Sequence, residues 1–184
     1  MKKELLKLKI NSYFKNGDIY KDKGFSTLVP YYITKARHNL LTANLLNKIS
    51  DDAQTKKLLS IPGDYVGFDW VIGAGYYAMY HITTALLGVI EIRTKSHESL
   101  INALEYQFVY KQKLLETEFI KKISQAKALE EHYVNKMWTT KSKRTIAHYR
   151  AEREISRKDA VRVLNNATKF VDRLHQLILQ LQKE

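Results

Sequence analysis

The chain contains no cysteine. Disulfides and thiolate metal sites are therefore excluded, which is compatible with a reducing, cytoplasmic setting. It has only two prolines and seven glycines in 184 residues. A chain of many turns needs more of both, so long helices are expected. No segment shows a sustained period-two alternation, so no strand is expected. The start, Met1-Lys2-Lys3-Glu4-Leu5, lacks the apolar core of a signal segment. There is no glycine-rich phosphate loop, no His-Glu-x-x-His pair and no nucleophile elbow. The six histidines, His38, His81, His97, His132, His148 and His175, are scattered rather than grouped with carboxylates. No metal site and no cofactor are expected.

Acidic residues are also scarce. Nineteen Asp and Glu face 31 Lys and Arg, for a net charge of +12. A surface of that sign attracts a polyanion such as nucleic acid, an anionic membrane or an acidic partner. The charge is uneven: Lys141 to Lys158 holds seven Lys/Arg and two Asp/Glu. A solvated face of a basic helix would look the same.

One stretch stands apart. Val71 to Ile90 has no Asp, Glu, Lys or Arg. Twenty such residues are long enough to cross a membrane. But Gly73, Gly75, Tyr76, Tyr77, Tyr80, His81, Thr83 and Thr84 make it only moderately apolar. The other segments are amphipathic and need a shared core, so it reads as the central helix of a bundle. Gly73, Ala74, Gly75 and Ala78 would let its neighbours approach closely.

The remaining pattern predicts helices with short breaks. Residues 2–14 form an amphipathic start, followed by a polar stretch from Lys15 to Lys23. A helix over Leu28 to Ile49 carries Ile33, Ala36, Leu40 and Ala43 at helical spacing, with Pro30 in its first turn. Ser60 to Asp64 is a break. The uncharged helix covers Phe68 to Glu91. Ser96 caps a further helix with Ile101, Leu104 and Phe108 on one face. Another helix, Glu116 to Trp138, has the stripe Phe119, Ile123, Ala126, Tyr133 and Met137. The last helix is capped by Ser156 with Asp159 reaching back, and carries Val163, Ala167, Phe170, Leu174, Leu177 and Leu181. The expectation is all-α: an antiparallel up-and-down bundle of four to five long helices. Residues 26–184 would form this single domain, and residues 1–25 a short basic extension with one helix.

Chemistry-bearing residues are few. His81, inside the apolar helix, reads as a hydrogen-bonded core histidine. Arg144 and His148 are four apart, on one face if helical. A guanidinium can grip phosphate oxygens in a fork, and an imidazole can move the proton of a ribose 2′-hydroxyl, with no metal needed. An exposed Arg and His on a basic helix is the plain alternative. Lys141, Lys143, Arg150 and Arg153 flank the pair and suit a nucleic-acid backbone.

Three segments carry a family resemblance. Tyr76-Tyr77-Ala78-Met79-Tyr80-His81 with Thr84-Ala85-Leu86-Leu87, then Lys95-Ser96-His97, then Arg144-Thr145-Ile146-Ala147-His148-Tyr149 resemble motifs of the HEPN family. These are small helical-bundle proteins, similar in fold to the substrate-binding domains of nucleotidyltransferases. The match extends from about Pro30 to Leu181, although Gly75 stands where the first motif has Arg. The resemblance implies a homodimer, cytoplasmic and without a membrane segment. It also implies a toxin–antitoxin or RNA-processing component that binds RNA and is often paired with a nucleotidyltransferase. Active members use an Arg-x(4–6)-His pair as metal-independent endoribonucleases. By that resemblance Arg144 and His148 are catalytic, with Tyr149, Tyr77 and His81 as neighbouring polar groups. Three residues separate Arg144 from His148, one fewer than in that motif, and Lys143 has the motif's spacing without being an arginine. The alternative is a non-catalytic module that docks a nucleotidyltransferase or binds a nucleotide.

Overall fold

The computed structural model describes the backbone of residues 2–140 and 146–183, and side-chain surroundings for residues 3–132 and 157–183. Among these the chain is mostly helical. Its helices are α1 (Lys2–Asn16), α2 (Val29–Asp51), α3 (Ala53–Leu58), α4 (Phe68–Val89), α5 (His97–Leu104), α6 (Thr117–Thr140) and α7 (Ile146–Leu181). A 3-10 turn, Lys23–Leu28, leads into α2, and α5 runs on into a π-helical turn, Glu105–Lys111.

The uncharged stretch becomes α4, and α4 is the axis of the core. It packs most extensively on α2 and α7, and also touches α6 and α5. Ile72, Met79, Ile82, Leu86 and Leu87 are sealed from solvent. No helix among the described residues is long and apolar enough to cross a membrane. Two glycines set how closely α4 can be approached. A Cβ at Gly75 would lie 2.8 Å from Val163 Cγ1 on α7. One at Gly88 would lie 3.1 Å from Val29 Cγ2 on α2.

The heptad stripe of the last helix is buried as expected at Val163, Ala167, Phe170, Leu174 and Leu177, and α4 is the neighbour that α7 packs on most. Its start is different. Ser156 does not cap a helix but lies within α7, which is already helical ten residues earlier, at Ile146. No Gly or Pro interrupts Ile146 to Ser156, and its Ala, Arg and Glu are strong helix formers. Asp159 bonds Arg162 Nη2 at 2.5 Å. Tyr133 and Met137 of the α6 stripe lie outside the described side chains; Ile123 and Ala126 are buried.

The polar stretch after α1 also departs from expectation. Ile19–Lys21 (β1) pairs antiparallel with Ile92–Thr94 (β2), with Ile19 opposite Thr94 and Lys21 opposite Ile92. Three-residue strands are too short to show alternation in sequence, but their buried ends, Ile19 and Ile92, join the core. This ribbon and α1, with Leu6 and Ile10 buried, hold the N-terminal residues against α5. Lys9 is bonded to Glu98.

Candidate functional site

The site grows from one side of α4. Tyr76, Tyr77, Tyr80 and His81 recur at i, i+1, i+4 and i+5, which groups them along one helical flank. Opposite them stands the start of α5. Ser96 caps that helix and forms a reciprocal capping box with Ser99, so the next residue, His97, is held in a defined place. Tyr76 Oη and His97 Nδ1 are 2.7 Å apart. Tyr80 lies against the same imidazole, ring centroids 4.6 Å apart, and Tyr77 meets it edge-on at 6.0 Å. Two motifs some twenty residues apart in the chain thus meet in one aromatic cluster.

The electrostatics of the cluster follow from burial. Tyr76 is fully buried, and desolvation first, then Glu130, holds its hydroxyl neutral well above the usual phenol range. Burial likewise raises Tyr77 and Tyr80. His97 is lowered, by burial and then by Lys127, with Glu131 opposing. His81 is pushed down to about 4 by burial, then by Lys35 and His97. Its ring is therefore neutral near pH 7. His81 does not behave as the hydrogen-bonded core histidine expected: it is half-buried, and Nδ1 has no hydrogen-bond partner. The backbone around it is committed to the helix, and its ring neighbours are Tyr32, Tyr77 and Tyr80.

Two cavities flank this cluster. One, about 540 Å³, opens between α2 and α4 beside Trp70, Tyr65, Leu46 and Tyr77, with the carboxylates of Asp69 and Glu130 at its edge. Burial, and then Glu131, raises Glu130. The other, about 280 Å³, is lined by Tyr31, Tyr32 and Lys35 of α2, Tyr80 and His81 of α4, and Arg93 of β2. Arg93 Nη1 bonds Asp22 Oδ2 at 3.1 Å, and the guanidinium lies over the Phe25 ring. Tyr32 stacks on His81 with centroids 6.0 Å apart.

Tyr77 and His81 thus sit on opposite cavities of one cluster. Lys141, Lys143 and Arg144 lie outside the described residues. His148, Tyr149, Arg150 and Arg153 fall on α7, with side chains outside the described set. Tyr31, Tyr32, Lys35 and Arg93 went unnoticed in the sequence. Tyr31 and Lys35 are four apart on one helix, a weak local signal, but nothing in the sequence pairs them with His81 or Arg93. Among the described residues no group of three or more His, Asp or Glu could hold a metal ion. No protein-family model matches the chain, and neither curated proteins nor solved structures give a match.

Proposed function

We propose that this protein is a HEPN-like RNA-processing component of toxin–antitoxin type. Its four long helices, α2, α4, α6 and α7, would then be the antiparallel bundle of that family, and the working unit a homodimer paired with a nucleotidyltransferase. In this reading Arg144 grips the scissile phosphate and His148 is the general acid or base, acting without metal. Lys141, Lys143, Arg150 and Arg153 follow the RNA backbone.

The observation that supports the family reading is the 2.7 Å contact of Tyr76 with His97. It joins two segments that resemble HEPN motifs independently. What supports the basic face is that His148, Arg150 and Arg153 share one helix, α7.

The test is RNA cleavage in EDTA by wild type and His148→Ala, with end-group analysis. The expected outcome is cleavage that leaves a 2′,3′-cyclic phosphate and falls by at least about a hundredfold in the variant. Full cleavage by His148→Ala would sink the mechanism. RNA binding should also weaken steeply with salt, as neutralising several phosphates requires.

A second reading, a non-catalytic module that docks a nucleotidyltransferase or binds a nucleotide, is favoured by the basic, tyrosine-lined cleft at His81. It requires no turnover and a stable complex.

A further inference from the structure

We infer that the cavity between α2 and α4 binds a small alkylated ammonium ion, caged by Trp70, Tyr65 and Tyr77 and balanced by Asp69 and Glu130. This goes beyond both readings above. It uses neither the cleavage pair nor the cleft at His81.

The aromatic walls come first. Trp70 and Tyr77 are seven residues apart on α4, two turns, and so share one face of it. Trp70 is 62% exposed, although an indole has much to gain from burial. Tyr65 comes from the loop ahead of α4. Its N–H donates to Pro62 O at 3.0 Å, and Gly67 N donates to Ser50 Oγ at 2.8 Å, which fastens that loop to α2. Gly67 also makes room for the ring, since a Cβ there would lie 2.8 Å from Tyr65 Oη. The walls are thus held in place before a ligand arrives. The negative face of an aromatic ring attracts a cation set over it.

The charge of the cavity runs against that of the chain. The protein has 31 Lys and Arg, yet among the described residues no Lys, Arg or His lines this cavity. Its charged groups are the carboxylates of Asp69 and Glu130. Burial, and then Glu131, disfavours the charge of Glu130 where it stands. Lys127 opposes them, but it is itself bonded to Glu131 Oε1 at 2.5 Å. A bound cation would add compensation at Glu130. Asn39 and Thr42, also in the lining, donate to Lys35 O and His38 O of their own helix, at 2.9 Å each. Their oxygens remain as acceptors. An anion would find no partner here, whereas a cation finds two carboxylates.

Size and lining select the kind of cation. A volume of about 540 Å³ is that of a small-molecule site, far more than a metal ion fills. It leaves room for an apolar body beside the charged head. A primary ammonium asks for an acceptor at each of its three N–H bonds. Leu46, Gly73 and Ala74, which complete the lining, offer no side-chain acceptor. An alkylated ammonium carries its charge on an apolar surface. It loses little against such residues and gains from the ring faces, which is how aromatic cages hold quaternary ammonium groups.

The test is calorimetric titration of the full-length protein with choline. The controls are its neutral isostere, 3,3-dimethyl-1-butanol, and its primary-amine analogue, ethanolamine. Choline should bind at least about tenfold more tightly than either. Trp70→Ala should weaken choline binding by about tenfold, and because Trp70 is exposed the variant should fold. Gly73→Leu sharpens the location. Gly73 lines the cavity and nothing lies within 4 Å of a Cβ there, so the new side chain enters the cavity without striking a neighbour. It should weaken choline by at least about tenfold while the unfolding midpoint holds or rises. No binding of choline, or an unchanged affinity in either variant, would overturn the inference. An isostere that binds as tightly would make the cavity merely apolar. Ethanolamine binding as tightly would mean that the carboxylates alone hold the charge. Either result also overturns the inference. The readout is binding, so it stands or falls apart from any cleavage of RNA.

Discussion

The two sides of α4 obey different rules. Toward α7 the helix is shaved down to Gly75, and the contact is closed to solvent. Toward α2 and α5 it closes on Val29 at Gly88, but along the flank of Tyr77, Tyr80 and His81 it leaves Nδ1 of His81 without a partner and borders two cavities. One face spends its side chains on close packing, the other on hydrogen-bonding edges. Substitutions on the first should cost stability, and those on the second should cost binding with the fold retained.

The largest effect should break the sealed side. Gly75→Val forces atoms into Val163 and should destabilise by about 1–3 kcal/mol in chemical denaturation. Gly73→Ala, two residues earlier, sharpens the contrast. Nothing lies within 4 Å of a Cβ there, so it should be neutral or gain up to about 1 kcal/mol. A loss as large as that at Gly75 would show that glycine is needed for another reason.

A middle effect lies at the seam between the two sides. Tyr76→Phe removes the hydroxyl that meets His97 and should cost about 1 kcal/mol, measured by thermal or denaturant unfolding. An unchanged stability would mean that the contact does not hold α5 to α4.

Near pH 7 the smallest effect belongs to the open side, and it grows as pH falls. His81 has a folded pKa of about 4 against an ordinary 6.5. The unfolded chain therefore binds the extra proton first as pH falls. The stability held by the neutral ring is complete above 6.5 and declines as pH drops through that value toward about 4. His81→Gln should flatten this part of the stability profile. A profile that is unchanged in the variant would assign the dependence to other groups.

Much of the fold was legible because helical periodicity is local. The stripe from Val163 to Leu177, Pro30 in the first turn of α2 and the cap at Ser96 can each be read within a window of a few turns. The β1–β2 ribbon was not, since three residues hold no period. That α7 already runs ahead of Ser156 was missed because Ser156 has the chemistry of a cap, yet no Gly or Pro between Ile146 and Ser156 stops a helix. The site was half legible. Tyr77 and His81 stood out on an uncharged helix, whereas Lys35 and Arg93 look like any other surface cations.

By itself, the sequence determined the helical class, the uncharged α4 as the centre and the basic character of the whole, because these depend on composition and on spacing along one chain. Tertiary structure alone decided that Tyr76 meets His97, that Gly75 lies under Val163, and that Lys35, His81 and Arg93 share a cleft. Those meetings depend on how helices distant in sequence rotate and close on one another. That is settled by the packing of the entire core, and no local pattern encodes it.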